Sequence, residues 1–248
     1  MNAIRTMIRT AALAAAVGAV ALAQPVAAQE KSSDQATFDL VIKGITAGTL
    51  SFSATQSGKG YGVQGKLQSS GLAALVRKVR YDARVKGSVS KGRYSPTSYA
   101  EKADTGKRQS ESVMAYKRGV PQVVSYTPPR DPGPNDVAAS TMGGTVDPLT
   151  ALYATLRDVA PGQECNVSVR MFDGKRSSQI GLGKPRADGD TVVCSGEYRR
   201  LKGFSAEEMA EKVRFPFTLT YAPTGDGKMR VMEVAMDSLY GKARLTRR

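Results

Sequence analysis

Residues 37–55 read TFDLVIKGITAGTLSFSAT, and this stretch decides the fold. Apolar and polar residues alternate around Gly44 and Gly48, which reads as antiparallel strand. The next segment, GKGYGVQGKLQSSG, keeps the same period with more glycine. Antiparallel sheet is therefore the expectation at the start of the domain, and the rest of the chain is read outward from it.

Beyond these strands, Leu72 to Val76 fits one helical turn, after which Val79, Tyr81, Ala83 and Val85 resume strand parity. Further strands are predicted near Ser95 to Ala103, Gln109 to Arg118 and Gln122 to Tyr126, with Lys-Gly, Thr-Gly and Arg-Gly pairs between them. From Thr127 to Thr145 the chain is dense in Pro and Gly, which predicts a long loop, either a lid, a partner contact or a flexible connector. TVDPLTALYATLRDVAPG follows. Here Asp147 suits an N-cap, Pro148 the first helical position, and Leu149, Leu152, Tyr153 and Leu156 share one helical face. The expected stop is Pro161-Gly162. A second helix is expected in FSAEEMAEKV, where Ser205 and Glu208 have capping-box spacing.

The C-terminal part returns to strand, with Phe215, Phe217, Leu219 and Tyr221 alternating, a TGDGK hairpin, and a last strand from Leu239 to Leu245. Two short helices among about a dozen strands give a mainly β fold, one strongly curved antiparallel sheet or open β-barrel. A sheet with so many strands must curl or close to protect its edges.

The first 28 residues carry Arg5 and Arg9, an apolar run from Ala11 to Ala23, and the small residues Val26 and Ala28 before the expected cut. This is the pattern of a secretory signal peptide. The apolar run is shorter than the roughly 20 residues of a spanning helix, and no later segment approaches that length. The expectation is a single domain over residues 29–248, exported to the periplasm and not membrane-spanning.

With 36 Lys and Arg against 22 Asp and Glu, the chain of 248 residues has a net charge of +14. A basic surface favours anionic partners, in this compartment lipid, lipopolysaccharide or cell wall; nucleic acid is not expected, since no recognition motif for it appears. The chain contains no histidine. That removes Ser-His-Asp triads, Cys-His pairs and His-ligated zinc, leaving only a His-free hydrolase built on Ser-Lys or paired carboxylates as an enzymatic alternative. No cofactor or metal is expected.

Cys165 and Cys194 are the two cysteines, and both follow the leader. An even count in an oxidising compartment predicts a disulfide, worth on the order of 3 to 4 kcal/mol for a loop of about 30 residues. Placing Cys165 on a strand with Val167, Val169 and Met171 raises a difficulty. In a three-strand meander the cysteine strands lie ~9.6 Å apart, too far for a disulfide. Either the middle strand, SSQIGLG, ends or bends early, or the strands pair in another order; the first is preferred. The intervening FDGKRS is read as a two-residue Asp-Gly hairpin turn. Lys175 and Arg176 at its exit, with Arg199 and Arg200, form either a solvated edge or a cationic patch for a phosphate or carboxylate.

The series DPLTALY, cysteine, strand, FDGKR, cysteine and YRRLKGFS resembles the bacterial exported family called domain of unknown function 3108, over about residues 145 to 205. The resemblance implies a periplasmic, mainly antiparallel β protein and supplies no catalytic residues. In style the chain is also similar to envelope-integrity proteins with a curled sheet like that of lipoprotein carriers. The combined expectation is a non-enzymatic protein of cell-envelope maintenance that binds an anionic or amphiphilic envelope component. Two alternatives stand beside it. One is a carrier of lipid or lipoprotein acyl chains, with a pocket lined by Leu149, Leu152, Tyr153 and Leu156. The other is a scaffold for another envelope protein, which would use the loop from Thr127 to Thr145.

Overall fold

The computed structural model describes residues 31–76 and 78–248. The expected signal peptide lies outside the described residues. The strands are β1 (Lys31–Ile42), β2 (Ile45–Ser57), β3 (Gly60–Ser69), β4 (Arg80–Ser90), β5 (Arg93–Asp104), β6 (Gln109–Lys117) and β7 (Val120–Thr127), then β8 (Ser168–Phe172), β9 (Ser177–Asp188), β10 (Thr191–Lys202), β11 (Arg214–Pro223), β12 (Met229–Ser238) and β13 (Gly241–Arg247). The helices are α1 (Gly71–Val76), α2 (Pro148–Leu156) and α3 (Ala206–Glu211). α1 is the single turn predicted after β3, so the described residues hold three helices, two of them short.

All thirteen strands of the described residues form one antiparallel sheet in the order β7-β6-β5-β4-β3-β2-β1-β13-β12-β11-β10-β9-β8, nearly closed into a barrel. Each strand pairs with its sequence neighbours, except that β7 and β8 do not pair and β1 pairs with β13. The first and last strands therefore sit at the middle of the sheet, and β7 and β8 are its edges. Three of the hairpins turn at Lys43-Gly44, Lys91-Gly92 and Arg118-Gly119, where both residues have positive φ. This is type I′ geometry, whose twist matches that of the flanking strands.

Strand parity divides the wall into two surfaces. Inward, Ala54, Val63, Val85, Tyr99 and Met114 follow one another across β2 to β6, all buried. Outward, Thr37, Ser51, Lys66, Asp82, Lys102 and Glu111 follow one another across β1 to β6. In that row charges alternate in sign, so cross-strand pairing supports the sheet. No large apolar side chain interrupts this row.

α2 fills the interior. Asp147 caps it, accepting from the Thr150 amide at 2.8 Å and the Thr150 hydroxyl at 2.6 Å. Gly65 on β3 admits the helix, because a Cβ there would lie 2.5 Å from Leu149 Cδ1. The helix stops at Leu156, before the expected Pro161-Gly162. The reason is tertiary: the pairing of β1 with β13 stops at Phe38, and residues 157–159 enter the fork that opens between β1 and β12. There Val159 bridges Met229, and Asp158 receives Arg230 and Arg247.

The long loop after β7 closes the seam between the two edges. Its Val137 amide donates to Lys175 O at 2.8 Å, and its Gly144 amide donates to Gly119 O at 2.9 Å. Val146 forms a parallel bridge with Met171 of β8. The segment proposed as a partner contact is thus part of the wall.

The disulfide joins Cys165 and Cys194 with a Cα separation of 5.4 Å. β8, β9 and β10 do form a meander, yet the distance difficulty disappears because Cys165 is not on a strand. It precedes β8 with φ 59°, in the left-handed region, while β9 runs its full length with a register shift opposite Ser195. The chain thus leaves the strand path before Ser168 and reaches β10 past the end of β8. The Asp-Gly turn also differs from expectation. Four residues, Asp173 to Arg176, connect the strands, and Asp173 Oδ1 accepts the amides of Lys175 at 2.9 Å and Arg176 at 2.7 Å.

Candidate functional site

The predicted cationic patch lies at the upper end of the barrel, the end at which β1 finishes, and its members are mostly occupied. Lys175 Nζ donates to the Tyr126 hydroxyl at 3.0 Å and sits 4.4 Å from that ring's centroid. Arg176 meets Glu208 at 3.1 Å and stacks on Phe204 at 5.0 Å. Glu208 at the same time completes the predicted capping box of α3, accepting the Ser205 amide at 2.9 Å. Arg200 has a side chain only 11% exposed. It donates to the carbonyls of Glu208 and Lys212, the latter at 2.9 Å, and lies between Phe204 and Phe215.

Arg199 does not belong with them. Consecutive strand residues point to opposite faces, so Arg199 is exposed on the outer wall, opposite Arg214 of β11. The four predicted cations therefore make no joint site, and three of them hold the α3 connection and the β8–β9 turn in place.

The predicted apolar pocket is filled. Leu149, Tyr153 and Leu156 are buried and Leu152 is packed against the same core. Around Tyr153 the rings of Phe52 and Tyr94 approach edge-on at 5.6 and 5.8 Å, and Tyr61 meets Tyr94 at 5.0 Å. Asp147 is fully buried beneath this cluster. Burial pushes its carboxyl up to about 6, against the lowering effect of the hydrogen bonds from Thr150.

A different group of cations converges at the lower end. A cleft of about 610 Å³ opens between the β4–β5 turn and the segment that enters β8. Lys91 and Arg93 come from the turn, Arg157 from the end of α2, and Arg170 from β8, with Gln163 and Asn166 between them. No carboxylate lines this cleft. Asp158, next to Arg157, is already engaged by Arg230 Nη2 at 2.7 Å and Arg247 Nη1 at 3.0 Å. Arg157 Nε is buried without a hydrogen-bond partner. Burial raises the neighbouring Tyr94 phenol, and the Arg157 cation pulls it back. The disulfide fixes Cys165 between Gln163 and Asn166, holding the cleft wall to β10.

None of these cleft residues is predicted by a local motif. Lys91 and Arg93 belong to a hairpin far from Arg170 in sequence, and only the curl of the sheet brings them together. The one legible signal is Arg157, a cation where the apolar face of the helix would otherwise continue.

The family model "Protein of unknown function (DUF3108)" matches residues 37–201. The chain belongs to this family. The match runs from β1 to the end of β10, covering the cleft residues and both cysteines as well as the motifs between Asp147 and Arg200. A similar solved structure is the crystal structure of a beta-barrel-like protein of domain of unknown function DUF1849 from Brucella abortus. It is 11% identical with a TM-score of 0.47, covering 87% of this chain and 95% of that one. A comparison with curated proteins finds none that matches.

Proposed function

We propose that this DUF3108 chain is a non-enzymatic periplasmic protein of cell-envelope maintenance that holds an anionic group of an envelope component, phosphate or carboxylate, in the lower cleft. The observation that carries this reading is the charge of the lining: Lys91, Arg93, Arg157 and Arg170 with no carboxylate among them. Arginine forks match phosphate and carboxylate oxygens, and amides such as Gln163 and Asn166 supply neutral hydrogen bonds. The net charge of +14 draws anions toward the whole molecule. The tight packing around α2 favours a headgroup ligand over an acyl chain held inside the barrel.

Native mass spectrometry of protein recovered after export, before and after organic extraction, tests for a bound phospholipid or glycolipid. In parallel, thermal-shift titrations with inorganic phosphate and with glucosamine phosphate are expected to raise Tm, with an effect that shrinks as salt is added. The double variant Arg157→Ala, Arg170→Ala is expected to lose the shift. An equal shift in the double variant, or none in the wild type, overturns the reading.

A further inference from the structure

Apolar side chains are concentrated at the end of the barrel opposite the cleft. Among the described residues eight large hydrophobic side chains are markedly exposed, and Ile45, Leu75, Leu239 and Tyr240 are four of them, at 55, 84, 40 and 72%. Leu75, Leu239 and Tyr240 lie in connections, and Ile45 opens β2 beside the β1–β2 turn. The β1–β2 turn meets the β12–β13 turn because β1 pairs with β13, and the Lys43 amide donates to Lys242 O at 2.9 Å. The α1 connection joins them through β2, where the Ser70 amide donates to Ala47 O at 3.0 Å. Exposed Lys43, Lys78 and Lys242 stand among these tips, and Asp237 faces Lys242 across the β12–β13 pair.

Hairpins and a single-turn helix have no reason of their own to present Leu, Ile and Tyr to water. A protein partner of ordinary size needs a continuous face of about 800 Å². Separate projecting tips on three connections, each beside a lysine, suit a different surface, one soft enough for every tip to enter on its own. Apolar side chains entering the headgroup boundary, tyrosine at the interface and lysines reaching lipid phosphates are how proteins lie on anionic bilayers.

We infer that this upper rim docks the barrel end-on to an anionic lipid bilayer, with Ile45, Leu75, Leu239 and Tyr240 entering the interface and Lys43, Lys78 and Lys242 contacting lipid phosphates. The strands themselves remain in water, and the lower cleft faces away from the membrane. The inference goes beyond the proposed anion site and does not depend on it.

The chain has no tryptophan, so Tyr240→Trp supplies a single reporter. Protein recovered after export is mixed with phosphatidylglycerol vesicles and with phosphatidylcholine vesicles. Docking predicts co-sedimentation and a blue-shifted tryptophan emission with the first and neither with the second. Lys43→Ser with Lys242→Ser is expected to weaken binding about thirtyfold, and Ile45→Ser with Leu75→Ser to abolish it, with far-UV circular dichroism unchanged. Arg170→Ala is expected to leave vesicle binding intact. The inference fails if wild-type protein does not sediment with phosphatidylglycerol vesicles, or if the Ile45 and Leu75 variant binds as well as wild type. Loss of vesicle binding in Arg170→Ala, with the rim variants unaffected, also overturns it and transfers lipid contact to the cleft.

Discussion

Two groups of arginines and lysines, at opposite ends of one sheet, behave in opposite ways. At the upper end Lys175, Arg176 and Arg200 are bound by Tyr126, Glu208, backbone carbonyls and aromatic faces. At the lower end Lys91, Arg93, Arg157 and Arg170 line a cleft with no carboxylate. Both groups look alike in the sequence, as basic residues near turns. What separates them is the company each cation keeps: Arg176 in the upper group meets the Glu208 carboxylate, whereas Arg157 and Arg170 donate to the carbonyls of Asp158 at 3.2 Å and Gly143 at 3.5 Å in a cleft that no carboxylate lines.

The comparison breaks most visibly at the disulfide. Replacing Cys165 and Cys194 by serine is expected to cost on the order of 3 to 4 kcal/mol in urea denaturation. The same change frees the wall carrying Gln163 and Asn166, so anion binding falls while the Arg176–Glu208 pair persists; an unchanged anion titration would show that the cleft does not rely on the staple.

Next in size is Arg200→Ala. It strands the carbonyls of Glu208 and Lys212 and removes stacking on two rings, for an expected loss of about 2 to 3 kcal/mol in the same assay. Anion binding at the far end should stay as it was. Parallel loss of both would merge the two groups into one system.

Asp147 gives a smaller, pH-dependent effect. Its folded pKa of about 6 lies above the usual carboxylate range because of burial. A group raised on folding contributes stability that is complete below its unfolded pKa and is lost as pH rises through the folded one. Wild-type stability from this residue should therefore drop by about 1 kcal/mol between pH 5 and pH 7.5. Asp147→Asn keeps an N-cap acceptor and should flatten that dependence. Denaturation of both proteins across the range is the check, and equal slopes would remove Asp147 as the cause.

The smallest change is expected for Arg199→Ala, within about 0.5 kcal/mol and without effect on anion titration, as befits an exposed residue on the outer wall. A large effect there would restore the predicted four-cation patch.

Much of the frame was legible. Lys-Gly and Arg-Gly pairs mark type I′ turns, Asp147-Pro148 starts α2, and Ser205 with Glu208 caps α3, because each depends on a few consecutive residues. Strand parity alone would also have separated Arg199 from Arg200. For the strand assigned to Cys165 only the distance difficulty was legible, and for the continuation of α2 toward Pro161 nothing was. Both segments are diverted by distant partners, Cys194 in one case and Arg230 with Arg247 in the other.

The sequence by itself determined the alternating strands, the turn chemistry, the helix caps and the pairing of two cysteines, since these follow from local backbone preference, two-residue periodicity and simple counting. Only the tertiary structure decided that β1 pairs with β13, that the Pro and Gly loop closes the seam, and which cations remain without an acid. Those outcomes depend on how far the sheet curls, and that curl is set by the summed twist of thirteen strands packed around one helix.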